Sequence, residues 1–188
     1  MSTPARREKP LKIDPTPHYP HIVLALNLID TNPPLFHWLL FVPKPGQGDS
    51  KVQHGIKVHA VQDYSSGQSA VTWAFEAAPF TLATSGSVTA AAVIGHLKDK
   101  TEEQLVNVLA TIPMVVPAVD IARENVFDCR VWIREALRRL HGAGFIHCPD
   151  VDALEAEMWG YGRPAAGAVE DETFKLAKLV TARNSCTL

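Results

Sequence analysis

The sequence predicts an α+β fold in a single domain. The chain has 188 residues, and 46% of them are apolar, which is enough to bury a full core. Its first half carries short apolar or alternating segments typical of strands, whereas its second half carries apolar residues at helical spacing. Strands followed by helices favour the α+β class, with residues 21–188 as one domain. Residues 1–20 hold five prolines and are predicted to form a flexible, Pro-rich N-terminal arm.

Five segments of the first half are predicted to be strands. They cover residues 22–29, 35–42, 56–61, 71–77 and 88–95. Their short connections favour an antiparallel meander. In the second strand, alternation places His37 on one face with Leu39 and Phe41, and Trp38 on the other face. In the third strand, His59 shares a face with its neighbours two residues away.

The cysteine-bearing helix is the clearest element of the second half. Asn125 is a favourable N-cap, which would place Cys129 in the first turn. One face of this helix is apolar, formed by Cys129, Trp132, Ile133, Ala136, Leu137 and Leu140. The positive end of the helix dipole favours the thiolate form of a cysteine in this position. We therefore expect Cys129 to point inward, toward the sheet.

The remaining helices are predicted from capping signals and spacing. Thr101 and Gln104 form a capping box that opens a helix running to about residue 111. A short helix is predicted over residues 152–160 and a loop over residues 160–167. A last helix is predicted over residues 170–183, so further C-terminal helices would pack beside the cysteine helix.

Composition and charge exclude several function classes. The net charge is −2, so the chain lacks the basic surface of a nucleic-acid binder. Three cysteines do not indicate a disulfide framework, and we expect a reducing, cytoplasmic setting. No segment approaches the roughly 20 apolar residues that a membrane span needs, so no stable membrane anchor is expected.

We expect neither a cofactor nor a metal. Gly142 and Gly144 follow a helix rather than a strand, which argues against a dinucleotide site. The pair His18 and His21 lies among prolines without further ligands, and His147 with Cys148 lacks a second ligand pair. The sequence does not indicate an oligomeric state.

The residues that could carry chemistry are Cys129, His37 and His59. A cysteine nucleophile needs an imidazole to accept the thiol proton, and a third polar group usually orients that imidazole. A helix packed across the sheet would bring a helical cysteine near strand histidines. The alternative is structural, because free cysteines are often simply buried and strand histidines are often hydrogen-bonded core residues.

Three segments resemble a known family. Residues 36–42 (FHWLLFV), 58–61 (VHAV) and 127–132 (FDCRVW) are similar to motifs of the lecithin:retinol acyltransferase-like branch of the circularly permuted NlpC/P60 superfamily. The order of the motifs, with two histidine strands before a cysteine helix, also resembles that permuted papain-like topology. The chain is similar as well to small uncharacterised proteins of filamentous fungi.

The acyltransferase resemblance implies a site and an activity. Cys129 would be the nucleophile, His37 the base and His59 the group that orients the base. The implied function is a soluble thiol-dependent hydrolase or acyl/peptidyl transferase acting on an ester, amide or thioester of a small molecule or peptide. Asp128 departs from the family, which has asparagine before the cysteine. Two alternatives are a non-catalytic binding or interaction protein on the same fold and a biosynthetic cyclase that reuses the pocket.

Overall fold

In the described part of the chain, a seven-stranded, mostly antiparallel sheet lies at the centre of an α+β fold, and three helices follow in the second half. The computed structural model describes residues 9–64 and 72–187. Residues 1–8 of the predicted arm and Val71, at the start of the fourth predicted strand, therefore lie outside the described residues. No helix in these two ranges is both long and apolar enough to cross a membrane.

The elements follow one another in a simple order. The strands are β1 Ile13–Asp14, β2 His21–Thr31, β3 Pro34–Pro43, β4 Gly55–Asp63, β5 Thr72–Phe80, β6 Val88–His96 and β7 Ala177–Thr181. The helices are α1 Glu102–Leu109, α2 Cys129–Gly142 and α3 Val151–Glu170. The strand order is β1-β7-β6-β2-β3-β4-β5, and β7 runs parallel to both of its neighbours.

All five predicted strands are present, but their order differs from a simple meander. Strands β2 to β5 are neighbours in sequence order, whereas β6 pairs with β2 rather than with β5. A short 3-10 helix, Leu82–Thr84, lies in the connection that carries the chain back to β2. The sheet therefore has β5 at one edge and β1 at the other.

Both faces of the sheet are buried. The side chains of Trp38 and Leu40 contribute to the core on the helix-bearing face, together with the apolar face predicted for α2. The alternate residues Leu39 and Phe41 belong to a second core, which Ile13 helps to cover. The predicted alternation along β3 is thus confirmed from Trp38 to Phe41, and each fully buried large side chain contributes about 1.5–3 kcal/mol.

Strands β3 and β4 separate along part of their length, and this fork positions the site. They pair only from Leu40 and Val58 to Pro43 and Gly55. A Cβ atom on Gly55 would lie 2.2 Å from the carbonyl oxygen of Val42, so glycine permits the close approach at the paired end. Beyond Leu40, residues 34–39 of β3 and 59–63 of β4 form the two arms of the fork.

The predicted loop over residues 160–167 is wrong. Helix α3 continues through it to Glu170, with Pro164 inside the helix. Gly162 serves packing rather than a turn, because a Cβ there would lie 2.7 Å from Cδ1 of Leu26. A glycine at this position lets α3 lie close to the sheet.

The predicted helix over residues 170–183 is also wrong, because Ala177–Thr181 forms β7. Ala177 and Leu179 contribute to one core and Val180 packs against the other, which is the alternation of a strand. Strand β7 pairs with β6 and with Ile13 and Asp14 of β1. This part of the N-terminal arm is therefore extended and hydrogen-bonded to the sheet. Of the predicted C-terminal helices, only α3 is present after α2 in the described ranges.

Candidate functional site

A cavity of about 540 Å³ occupies the fork between β3 and β4. Residues 35–38 line one side and Val61, Gln62 and Tyr64 the other. The first turn of α2 closes the inner end with residues 128–130. Trp73 and Trp159 add to the lining, so most of its surface is aromatic or aliphatic, as in many small-molecule sites.

Helix α2 begins at Cys129, three residues later than predicted from an Asn125 cap. Asp128 is the N-cap, and its Oδ1 accepts a hydrogen bond from the backbone N–H of Val131 at 2.8 Å. Both residue types are good N-caps, and only the structure distinguishes between them. Cys129 is consequently the first helical residue, and the carboxylate of Asp128 adjoins its thiol in sequence.

The thiol of Cys129 is buried and protonated at neutral pH. The residue is 7% exposed, and Sγ donates a weak hydrogen bond to the carbonyl oxygen of Phe36 at 3.9 Å. Burial, together with the charge of Asp128, raises the thiol pKa to about 11. The backbone amide of Trp38 and those of the first helical turn lower this pKa, but burial outweighs them.

A chain of hydrogen bonds runs from the cavity to the sheet edge. Nε2 of His37 lies 2.5 Å from Nδ1 of His59, and Nε2 of His59 lies 2.8 Å from Oε1 of Glu76. Lys57 completes the chain, with Nζ 2.6 Å from the same carboxylate oxygen. His59 and Glu76 face each other across the β4–β5 ladder, so the sheet register sets their contact.

Burial keeps both imidazoles neutral. Burial and the neighbouring His59 and Lys57 together lower the pKa of His37 to about 4, although the charge of Glu76 acts in the opposite direction. Burial also lowers the pKa of His59, although the hydrogen bond to Glu76 acts in the opposite direction. Hydrogen bonds from Lys57 and His59 lower the pKa of Glu76, which is therefore ionised at neutral pH.

The structure brings the three predicted site residues into one region, but they differ in their access to the cavity. His37 and Cys129 line the same cavity, whereas His59 lies behind His37 and is buried. The hydrogen bond of the thiol goes to Phe36 rather than to an imidazole. Cys129 and His37 thus share the cavity as a neutral thiol and a neutral imidazole.

Sequence reasoning did not connect Glu76 or Lys57 with the two histidines, whose hydrogen-bonded chain they complete. The available signal was a pair of cationic or ionisable residues on one face of β4, Lys57 and His59, and a single acid in the following strand. Opposite charges on neighbouring strands often pair across a ladder. The prediction would still have required the β4–β5 register.

A second missed feature is a cluster of ion pairs that holds the start of α2. Arg130 contacts Glu124 at 2.5 and 2.8 Å and Glu155 of α3 at 2.9 Å. Arg134 is 2% exposed and binds Asp120 at 2.7 Å as well as Glu155. These contacts attach α2 to α3 and to the preceding turn, and so fix the position of the thiol.

In the described ranges, no group of three histidine, cysteine or acidic side chains is arranged to hold a metal ion. No curated protein and no solved structure matches the chain. Residues 21–159 match one protein family, and this range includes both arms of the fork, all of α2 and the chain His37–His59–Glu76. The chain therefore belongs to DUF6914, a family of unknown function.

Proposed function

We propose that this protein is a thiol-dependent hydrolase or acyl/peptidyl transferase that acts on an ester, amide or thioester. Cys129 is the nucleophile, His37 the general base and His59 the group that orients His37. One observation carries the proposal: the hydrogen-bonded chain from Glu76 through His59 ends at His37, in the cavity that Cys129 also lines. A helical cysteine beside strand histidines also fits the permuted papain-like fold that the sequence motifs resemble.

The reaction begins with a proton transfer. The thiol proton of Cys129 moves to His37 as Sγ attacks the carbonyl carbon of the substrate. The new S–C bond forms, the bond to the leaving oxygen, nitrogen or sulfur breaks, and His37 returns the proton to the leaving group. Water or another acceptor then attacks the thioester and gives a proton to His37, and this proton passes to the sulfur as the C–S bond breaks.

The first turn of α2 supplies donors for the oxyanion. Backbone N–H groups at the start of a helix lack partners within the helix, and they project outward beyond its N-terminal end. The backbone N–H groups of Cys129 and Arg130 both lower the pKa of the thiol, and we assign them as the oxyanion donors. The apolar lining suits an uncharged acyl group of a small molecule or a peptide.

A panel of chromogenic esters and amides tests the proposal, with intact-mass analysis of the trapped intermediate. We expect turnover by the wild-type protein, its loss in Cys129→Ala, and a decrease of about 100-fold or more in His37→Ala. Acyl adducts should map to Cys129. Cys186→Ala is the matched control, because this exposed thiol should contribute nothing to turnover. Equal turnover in the wild-type and Cys129→Ala proteins would contradict the proposal.

A second candidate is a non-catalytic binding protein on the same fold. The observation that favours it is the resting thiol, which is protonated and bonded to the Phe36 carbonyl rather than to His37. In that case Cys129→Ala should leave ligand affinity almost unchanged, and no acyl adduct should form with any member of the panel. Calorimetric titration of the panel compounds distinguishes the two functions.

A further inference from the structure

We propose that Glu76 is a positioning residue that fixes the tautomers of His59 and His37, so that Nδ1 of His37 is the unprotonated nitrogen that accepts the thiol proton. The inference deepens the proposed function, on which its catalytic part rests. The tautomers themselves follow from hydrogen-bonding geometry alone. The chain of contacts determines them one residue at a time, starting at the sheet edge.

The first step is the contact between Glu76 and His59. An ionised carboxylate can only accept hydrogen bonds, and the ammonium group of Lys57, 2.6 Å from Oε1, keeps Glu76 ionised. Nε2 of His59, 2.8 Å from the same oxygen, must therefore carry a proton and donate it. Because His59 is neutral, its other nitrogen, Nδ1, has a lone pair and no proton.

The second step is the contact between the two rings. Nδ1 of His59 is an acceptor, so Nε2 of His37, 2.5 Å away, must be the donor. A neutral His37 has a single N–H, and this bond uses it. Its Nδ1 is then left with a lone pair, in a ring that lines the cavity with Cys129.

The opposite tautomers would prevent the reaction. If Nε2 of His59 carried no proton, its lone pair would face a lone pair of the Glu76 carboxylate, and this contact would be repulsive. Nδ1 of His59 would then donate to His37, and Nδ1 of His37 would carry the proton and could not accept another. Among the described residues, the charged and titratable groups that line this cavity or act on the pKa of His37 are Lys57 and His59 of β4, Tyr64 just after it, Glu76 of β5, and Asp128, Cys129 and Arg130 at the start of α2. Among them, Glu76 is the group that ends the hydrogen-bonded chain, and its carboxylate can only accept a hydrogen bond.

The position of Glu76 makes the inference testable without unfolding the protein. Its side chain is 40% exposed and lies on β5, an edge strand. Because the side chain lies at the sheet edge rather than in the core, we expect its substitution to leave the fold intact. Glu76→Gln keeps an oxygen that can accept from both Lys57 and His59, whereas Glu76→Leu removes the acceptor.

Nitrogen-15 NMR of the imidazole rings measures the tautomers directly. In the wild-type protein and in Glu76→Gln, we expect Nε2 of both His37 and His59 to be protonated and Nδ1 of both to be unprotonated. In Glu76→Leu, the signal of His37 Nδ1 should shift toward the protonated form as the second tautomer becomes populated. A wild-type protein with protonated Nδ1 on His37, or Glu76→Leu with unchanged signals, would overturn the inference.

Kinetics supplies the second measurement. Glu76→Leu should lower kcat by about 10- to 100-fold with little change in KM, and Glu76→Gln should lose less. Equal kcat in Glu76→Leu and the wild-type protein would overturn the positioning role. If the NMR signals behave as expected but Cys129→Ala retains full turnover, the tautomer assignment stands and the proposed function fails. The two failures are thus distinguishable.

Discussion

Cys129 illustrates how burial can outweigh a helix dipole. A first-turn cysteine is expected to ionise easily, because the helix N-terminus stabilises negative charge. Here the side chain is almost fully enclosed, and burial raises its pKa to about 11. The placement of Cys129 in an opening turn was predictable, but its place as the first helical residue was not, and its enclosure depends on the packing of β3 against α2. A base-assisted reaction suits this thiol better than one that starts from a resting thiolate.

The pH dependence of turnover follows from His37. Its pKa is lowered to about 4, and only the unprotonated ring can accept the thiol proton. We therefore expect kcat/KM to stay constant as pH falls through 6.5 and to decrease only near pH 4, well below the range of an ordinary histidine. A pH–rate profile with a fast ester measures this limb, with circular dichroism at each pH as a control for unfolding. An acidic limb centred near 6.5 would show that another group is the base.

Asp128 has two separable effects at the scale of the α2 helix. Its side chain caps the helix, and its charge raises the pKa of Cys129. Asp128→Asn keeps a good cap without the charge, so we expect faster alkylation of Cys129 at a given pH and almost unchanged stability. Asp128→Ala should lower the free energy of unfolding by about 1 kcal/mol.

Two measurements check this prediction. Urea unfolding gives the stability of each variant, and the pH dependence of alkylation followed by mass spectrometry gives the reactivity of Cys129. Cys148, which is also buried, serves as the internal reference thiol. If Asp128→Asn reacts no faster than the wild-type protein, the carboxylate does not influence the sulfur.

Elements with a regular pattern were predictable from the sequence, and those set by distant contacts were not. The inward face of α2 and the alternation of β3 follow from local periodicity. The continuation of α3 through Gly162 does not, because that glycine is required by contact with Leu26 of β2. Strand β7 was mistaken for a helix because its five residues form a strand only through pairing with β6 and β1.

The same distinction between local sequence pattern and distant contact applies to the residues of the candidate site. Cys129, His37 and His59 were predicted from motifs, whereas the contact between Glu76 and His59 depends on the β4–β5 register. Arg134 is buried, although arginine is rarely buried unless it is paired. Its partners are separated from it by 14 and 21 positions in the sequence, which no local pattern reveals.

At the scale of the molecule, the ion-pair cluster should be essential for stability. Arg134→Met leaves the carboxylates of Asp120 and Glu155 with one fewer cation in a buried setting. Breaking one partner of a buried ion pair typically costs about 3–5 kcal/mol, and we expect a loss of that size in the free energy of unfolding. Denaturant titration followed by tryptophan fluorescence measures it.

The matched control is Arg139→Met on the same helix. Arg139 is paired with Glu135, but its side chain is 46% exposed, and such a pair contributes at most about 1 kcal/mol. A similar small loss for both variants would mean that the buried cluster contributes no more than a surface pair. Because the cluster anchors α2, Arg134→Met should also decrease turnover in the ester assay.

The strand order has a practical consequence for handling the molecule. Cys186 is exposed and lies just beyond β7, which is separated from β4 by β6, β2 and β3. Four strand spacings amount to roughly 20 Å, so a fluorophore or a solid support coupled to Cys186 would stay clear of the fork. Maleimide should react there first, because the enclosed Cys129 thiol has its pKa raised to about 11. Immobilised protein would thus keep the cavity open to compounds in solution.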